Sequence, residues 1–391
     1  MLPSRLAPAR RGVVVVAPVV VCALIVPTFH GAAGADPLGS GVVGAATSVG
    51  AATAPIAGSV EALPSGSHGG SAAALDTGSD VGFGAAQAWD SSAGDPIGAC
   101  AGPAPRVTTF GAAPPPVLGW TENMAFDDSG RLWVSKTFLN RVDAYDDDGN
   151  IIATASVRAP GGIDLGPDGR MHVAAGTGYL AQRSDVVSFD PSAGRPGEAI
   201  EAGAGAPIEV RVEARLDNRK NGLAVDAAGN RYLTSLEDDG LTKVRPDGTM
   251  DEEWSAAARL GVSNGIAISG DTAYVSQSTD RTVVHAVPLD APGEWTTTEL
   301  TAPPTMPRGL DDLAVTDEAL LVTSWSSGEV YRIDRDSGEV CVLVGGIPRA
   351  TSVVVADGFT GSGAESVPDG FDPGDLLVTS LHGPIRHVSL G

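Results

Sequence analysis

Beyond Pro105 apolar and polar residues alternate in short runs, and the runs recur. Glu122 opens ENMAFDDSGRLWVS, Gly161 opens GGIDLGPDGRMHVA, Asn221 opens NGLAVDAAGNRYLTS, and Asn264 opens NGIAISGDTAYVSQS. Asp311 opens DDLAVTDEALLVTS, and Thr351 opens TSVVVAD, which a Gly-rich insertion separates from DLLVTS. Each unit reads as an apolar or alternating strand, a turn on Asp, Gly or Asn, and a second strand rich in Leu, Val and aromatics. A third strand usually follows, as in RVDAYDDDG, and often a fourth, as in IIATASV. Four antiparallel strands repeating at about 40–45 residues predict propeller blades. Six first strands predict six.

The chain ends at Gly391 one strand short of a sixth blade, while APRVTTF before the first repeat is an orphan strand. Pairing the two would complete the blade and remove an exposed edge. The expected fold is therefore an all-β, six-bladed β-propeller over 105–391, closed by an N-terminal strand. Closure would also bring Cys100 near Cys341 on the outer strand of blade five. In an oxidising compartment one disulfide between them is the expectation.

Upstream, Arg5, Arg10 and Arg11 precede an apolar run from Gly12 to Pro27, and Ala33-Gly34-Ala35 offers a cleavage site. Residues 1–35 read as an export signal rather than an anchor: the run is short of the roughly 20 residues a spanning helix needs, and Pro18 interrupts it. Residues 36–104, rich in Gly, Ala and Ser, read as a flexible low-complexity extension. The product would be secreted. The formal charge of −23 over 391 residues falls by three more units without the signal's arginines. Such a balance argues against nucleic acid and against a membrane surface beyond the export signal. A small-molecule partner and a monomeric chain are the expectation.

In a propeller the first strand of each blade lines the central channel. Its opening residue here is Glu122, Gly161, Asn221, Asn264, Asp311 or Thr351. Asn-Gly and Asp-rich pairs are also common turn formers, so one instance carries no weight. Four at one geometric position (Glu122, Asn221, Asn264 and Asp311) form an oxygen-only set suited to a hard divalent cation. The absence of Cys and His from that ring argues against a zinc-type set.

These residues carry a resemblance. The chain from about 105 onward resembles the gluconolactonase and senescence-marker-protein (regucalcin-like) six-bladed propellers, and more distantly the paraoxonases. The resemblance implies a catalytic divalent ion, usually Ca²⁺ and sometimes Zn²⁺ or Mg²⁺, on the equivalents of Glu122, Asn264 and Asp311. Asn221 would be a ligand or a substrate contact. Asn123 and Asp312 follow where gluconolactonases usually have Gly, and the doubled pairs look more like the paraoxonase arrangement.

Lys136, Thr137, Gln277, Trp325 and His382 are expected to rim the pocket, the first and the last three named as contacts to substrate or, for His382, as a base. Asp312 and His382 are the candidates for moving a proton, beside Asp311. His172 alternates within a strand and reads as a paired sheet residue, and His68 falls in the extension. DAYDDDGN at Asp143 fails the calcium-loop spacing at Ala144 and lacks the terminal Glu, so a hairpin turn is expected. Gly161-Gly162 lacks a nucleotide-binding pattern, and no G-x-S-x-G elbow occurs. The reading that follows is a metal-dependent lactonase or esterase. Its competitors are a non-enzymatic binding module with a structural ion, and a strictosidine-synthase-like lyase whose catalytic glutamate has no clear counterpart.

Overall fold

The computed structural model describes residues 97–112, 119–178, 181–193, 208–238, 240–277, 282–300, 309–356, 371–381 and 383–391. All of them belong to one compact unit, 80–391. The export signal, most of the extension, His68 and His382 lie outside the described residues.

β1 (Arg106–Phe110) precedes the first blade, β2 (Thr121–Phe126), β3 (Leu132–Lys136), β4 (Arg141–Tyr145) and β5 (Ile151–Ser156). Blade two is β6 (Pro160–Leu165), β7 (Met171–Ala175), β8 (Ser184–Phe189) and β9 (Val210–Leu216). Blade three holds β10 (Leu223–Val225), β11 (Arg231–Leu233) and β12 (Thr242–Val244), followed by α1 (Glu252–Ala257). Blade four is β13 (Ile266–Ser269), β14 (Thr272–Gln277), β15 (Val283–Pro288) and β16 (Thr296–Glu299). Blade five is β17 (Leu310–Val315), β18 (Ala319–Ser324), β19 (Glu329–Asp334) and β20 (Val340–Val344). Blade six is β21 (Ala350–Val355), β22 (Leu376–Ser380) and β23 (Ile385–Ser389), and β1 lies antiparallel beside β23 as its outermost strand. The first strands touch in cyclic order, β2 with β6, then β10, β13, β17 and β21, and β21 meets β2 again. The molecule is a six-bladed β-propeller.

Blade three departs from four strands. In DEEWSAA the Asp251 carboxylate accepts from the Trp254 amide, and Glu252 and Glu253 sit in the first turn, where acids favour a helix. Trp254 packs edge-on against Tyr232 at 5.0 Å and donates its indole N–H to the Leu289 carbonyl of blade four at 2.7 Å. A helix thus covers the face an outer strand would have filled.

The core is divided among the interfaces between blades. One apolar cluster fills each, from Trp133, Met171 and Phe189 between blades one and two to Leu132, Tyr145 and Leu377 between blades six and one. The cluster between blades two and three, built from Ala174, Val186, Ala214, Leu216, Leu223, Leu233 and Val244, contains no aromatic residue. Cys100 and Cys341 form a disulfide. Around it, Gly98 and Cys100 add a short parallel bridge to β20 through Val342, with N–H···O distances of 2.8 and 2.9 Å.

A second set of links runs around the axis at the end where the first strands begin, called the upper end. Thr137 donates to the Pro160 carbonyl (2.8 Å), the Gly162 amide to Asn221 (2.8 Å), Thr234 to Asn264 and Ser276 to Asp311. Thr323 donates to Thr351 (3.0 Å) and Thr351 to Thr121 (2.7 Å), which closes the circle. Every blade is bonded to the next through the backbone of its axial strand.

Such links require close approach. A Cβ on Gly222 would lie 2.5 Å from the Asn264 carbonyl oxygen, and one on Gly265 would lie 2.5 Å from both the Asp311 oxygen and the Asp312 Cα. The glycine of each Asn-Gly pair is therefore there because the next blade's backbone occupies the space, and not to free the chain to turn. Gly265→Ala is expected to cost about 1–3 kcal/mol through overpacking against backbone that cannot yield. Gly98→Ala, with nothing within 4 Å of its new methyl, is expected to be near neutral. Denaturant midpoints of the two variants check this.

Candidate metal and active site

The axial strands are irregular at one shared place. Register breaks fall between Thr121 and Met124, Pro160 and Ile163, Leu310 and Leu313, and Ala350 and Val353. In blade three Asn221 and Gly222 both bond to Thr234, and in blade four Asn264 and Gly265 both bond to Ser276. All six blades thus set two residues against one, a β-bulge that re-aims side chains at a sheet's rim. The bulged pairs are Glu122-Asn123, Gly161-Gly162, Asn221-Gly222, Asn264-Gly265, Asp311-Asp312 and Thr351-Ser352.

First members of these pairs converge at the upper end. Asn221 Nδ2 donates to Asn264 Oδ1, and Asn264 Nδ2 donates to Asp311 Oδ1 at 2.8 Å. Glu122 accepts from the Trp120 indole and lies within hydrogen-bonding reach of Asn221. Glu122, Asn264 and Asp311 are each 8% exposed. Burial, first, and repulsion from Asp312 push the Glu122 carboxyl up to about 7, against the Trp120 and Asn221 hydrogen bonds. Asp311 is held well above the usual carboxylate range by burial, then by the Glu122 and Asp312 charges. Neither acid forms a salt bridge among the described residues, and the cations nearest Glu122, Arg219 and Lys220, face other acids.

Second members form a lower tier. Asp312 accepts from Ser352 Oγ at 2.6 Å, and Ser352 also lies 3.4 Å from Asn123 Oδ1. Burial pushes Asp312 up to about 7, opposed by the Ser352, Leu313 and Asn123 hydrogen bonds. Asn123 and Asp312 line a cavity of about 670 Å³ whose walls are the lower halves of the axial strands, among them Phe126, Ile163, Ile268 and Val355. Asp164 joins that wall, accepting from the Val225 amide of blade three at 2.8 Å and from Leu165 at 2.9 Å. Beside Glu122 the space is much smaller, about 30 Å³, lined by Trp120, Thr177, Arg219, Lys220, Asn221 and Leu236. Lys220 is paired with Asp238 at 3.3 Å and Arg219 with Glu237 at 2.8 Å.

The expected rim residues are placed less uniformly. Lys136 is buried at the end of β3, its ammonium 5.2 Å from the Tyr145 ring centroid, and burial pushes its pKa down to about 8. Gln277 is buried, its side-chain oxygen 3.0 Å from His285 Nε2. Trp325 lies under the Arg349 guanidinium at 3.7 Å. Thr137 and Thr351 serve the ring of inter-blade bonds. Asp312 faces the lower cavity, and His382 lies outside the described residues. Sequence reasoning passed over Trp120, Asp164, Lys220 and Ser352. A Ser or Thr near the end of most second strands (VSK, LTS, VSQ, VTS) was the available signal for the hydroxyl ring.

The donor set tests whether a cation fits. Among the described residues no three His, Cys, Asp or Glu side chains gather as a metal-binding group. The upper tier instead offers two carboxylates and two amides, oxygen donors throughout, which match Ca²⁺ or Mg²⁺ better than zinc. Two buried, mutually repelling carboxylates whose nearest cations, Lys220 and Arg219, are paired instead with Asp238 and Glu237 are the arrangement a bound cation relieves. The residues fit.

No family model matches the chain, and no curated protein matches it. Solved structures resemble it in fold. They include the virginiamycin B lyase from Staphylococcus aureus, with 12% identity, TM-score 0.47, and 73% of this chain and 99% of that one covered. A streptogramin B lyase shows 11% identity and TM-score 0.48 over 73% and 98%. A gluconolactonase from Xanthomonas campestris shows 18% identity and TM-score 0.48 over 76% and 99%. Likeness at that level is to the propeller alone, and the site stands on its own geometry.

The raised carboxyls set a pH dependence. Glu122 and Asp312, ordinarily near 4.5 and 3.8, hold their protons up to about 7 when folded, so the folded state binds more protons than the unfolded chain across that window. Stability of chelated protein is therefore expected to fall as pH rises from about 4 to 7 and to level off above. Added Ca²⁺ should raise the melting temperature more at pH 8 than at pH 5. Melting curves across that range, with chelator and with Ca²⁺, check both.

Proposed function

We propose that the chain is a secreted, monomeric, divalent-cation-dependent hydrolase of lactones or related esters, with Ca²⁺ the leading candidate ion. One observation carries the reading: Glu122, Asn221, Asn264 and Asp311 are brought from four blades to one buried point on the axis. Those four would hold the ion. The ion, when bound, supplies Lewis-acid polarisation of the substrate carbonyl.

The protein's own groups account for the rest. Trp120 fixes the Glu122 carboxylate through its indole N–H, and Asn264 fixes Asp311 through one oxygen. Asp311 Oδ2 has no hydrogen bond among the described residues, so it is the oxygen left to take a proton as water adds to the carbonyl carbon. Breaking the ring C–O bond then releases an alkoxide, which recovers that proton to give the hydroxy acid. Asp312, with a pKa near 7, lies in the range of a general base. Its position beneath the first tier makes it a carrier of protons to Asp311 rather than a contact to substrate. Lys136 and Gln277 are buried in their own blades, so of the expected substrate contacts Asn221 and Trp325 keep the stronger claim.

Asp311→Ala is expected to abolish both divalent-ion binding and turnover of aldonolactones and aryl esters. Calorimetric titration with Ca²⁺ and a hydrolysis assay measure the two, and unchanged turnover refutes the assignment. Asp312→Asn should leave ion binding within about threefold while lowering kcat, since proton transfer typically contributes 10²–10⁴-fold.

The space beside Glu122 favours a second reading. About 30 Å³ holds an ion or a water, not a sugar lactone. In a binding module the ion would only lock the ring. Chelator that lowers the melting temperature of a protein inactive on every lactone and ester tested would establish that reading instead.

A further inference from the structure

The turn between the first two strands repeats closely in blades one to three, which makes it a ruler. Asp127, Gly166 and Asp226 occupy equivalent places: each amide bonds to the carbonyl four residues on, and each carbonyl accepts from a glycine three residues on. In blade one Asp127 takes the Trp133 indole N–H at 2.7 Å. In blade three Asp226 takes the Tyr232 hydroxyl at 2.8 Å. Blade two has Gly166 for the acid and His172 for the aromatic ring, and His172 Nε2 turns to Asp168 at 3.1 Å. One residue earlier the pattern breaks again. Leu132 and Met171 are core residues in blades one and two, and blade three puts Arg231 in that place.

These departures meet at one interface. Arg231 (2% exposed) and His172 (4% exposed) line a cavity of about 320 Å³ between blades two and three, with Pro167, Asp168, Glu213 and Pro246. Arg231 Nη1 donates to the Gly229 carbonyl at 3.0 Å, whereas Nε and Nη2 have no hydrogen-bond partner. His172 Nδ1 has none either. Nε and Nη2 form the side edge of the guanidinium, whose two parallel N–H groups match the two oxygens of a carboxylate. A buried guanidinium with Nε and Nη2 left without acceptors is costly even beside the Glu213 and Asp168 charges, and an apolar side chain works at this place in blades one and two. Asp168 and Glu213 on the same wall disfavour a dianion such as phosphate and provide for a cationic group on the ligand.

We infer that the cavity between blades two and three is a binding site for a small zwitterionic carboxylate, an α-amino acid with an apolar side chain being the simplest fit. The carboxylate lies on the Arg231 edge, the ammonium faces Asp168 and Glu213, and the side chain lies against Pro167 and Pro246. This site is separate from the axial one, and its test does not depend on hydrolase activity.

The full-length chain is titrated with L-leucine, 4-methylpentanoate, 3-methylbutylamine and inorganic phosphate, by calorimetry and by melting temperature. L-leucine is expected to bind and raise the melting temperature, with each single-charge analogue about tenfold weaker or worse. Arg231→Met, which restores the side chain of blade two, should fold with an equal or higher melting temperature and lose leucine binding. Arg231→Lys keeps the charge without the paired edge and should weaken binding. Binding of phosphate in preference to leucine overturns the ligand class. Binding of none of the four, or equal binding by Arg231→Met, overturns the site and leaves ordered water as the partner of those N–H groups.

Discussion

A regular β-strand sends consecutive side chains to opposite faces, so an axial strand would offer the channel every second residue. The bulge at the start of all six axial strands suspends that rule. Two neighbours, Glu122 with Asn123 or Asp311 with Asp312, then both serve the axis, one in the upper tier and one in the lower. The same irregularity frees backbone carbonyls to accept from the adjoining blade, as Asn264 accepts from Thr234 and Asp311 from Ser276. Site and ring closure therefore share one local device. Adding a β-carbon at Gly265 disturbs both, because it collides with the strand that carries Asp311.

Held by that scaffold, the axis accumulates like charge. Glu122, Asp311 and Asp312 repel one another in surroundings that water barely reaches, and burial is the largest cause of the raised pKa of each. Neutral groups soften the cost only in part: an indole for Glu122, an amide for Asp311, a hydroxyl for Asp312. Elsewhere the chain supplies a cation where an acid is buried, as with Arg141 at 3.0 Å from Asp143 or Arg131 at 2.7 Å from Asp127. Omitting it on the axis alone is intelligible if the cation comes from solution.

Much of this was legible because propeller repeats are local. Strand, turn and strand are written in about fifteen consecutive residues, and the polar opening of each unit, from Glu122 to Asp311, marks the axial position directly. Blade three was less legible because its outer face is specified by helix signals, Asp251 as a cap and a buried Trp254, that no other blade uses. The rim was least legible. Counting strands assigns Lys136 and Gln277 to the upper end, but it does not say on which face they point. Packing decided that, with Lys136 against Tyr145 and Gln277 against His285. Likewise the Asn-Gly glycine looks like a turn former in sequence, whereas its necessity comes from a strand more than 40 residues away.

Repetition also changes what an isolated oddity means. Arg231 or His172 alone would pass as a polar residue at a strand end. Against their equivalents, Leu132 and Met171 for Arg231, Trp133 and Tyr232 for His172, each puts a buried nitrogen without a hydrogen-bond partner where the other blades have a satisfied residue. The interface that carries them is filled by Ala, Val and Leu alone, with no aromatic ring among its described residues. A propeller gains stability from six similar interfaces, so weakening one with a buried, unsatisfied guanidinium runs against the interest of the fold. The axial acids pose the same problem in opposite charge. In both places buried polar groups lack partners from the fold itself, two carboxylates without a paired cation on the axis and two guanidinium N–H groups without acceptors at Arg231, which is what a ligand of matching chemistry would supply.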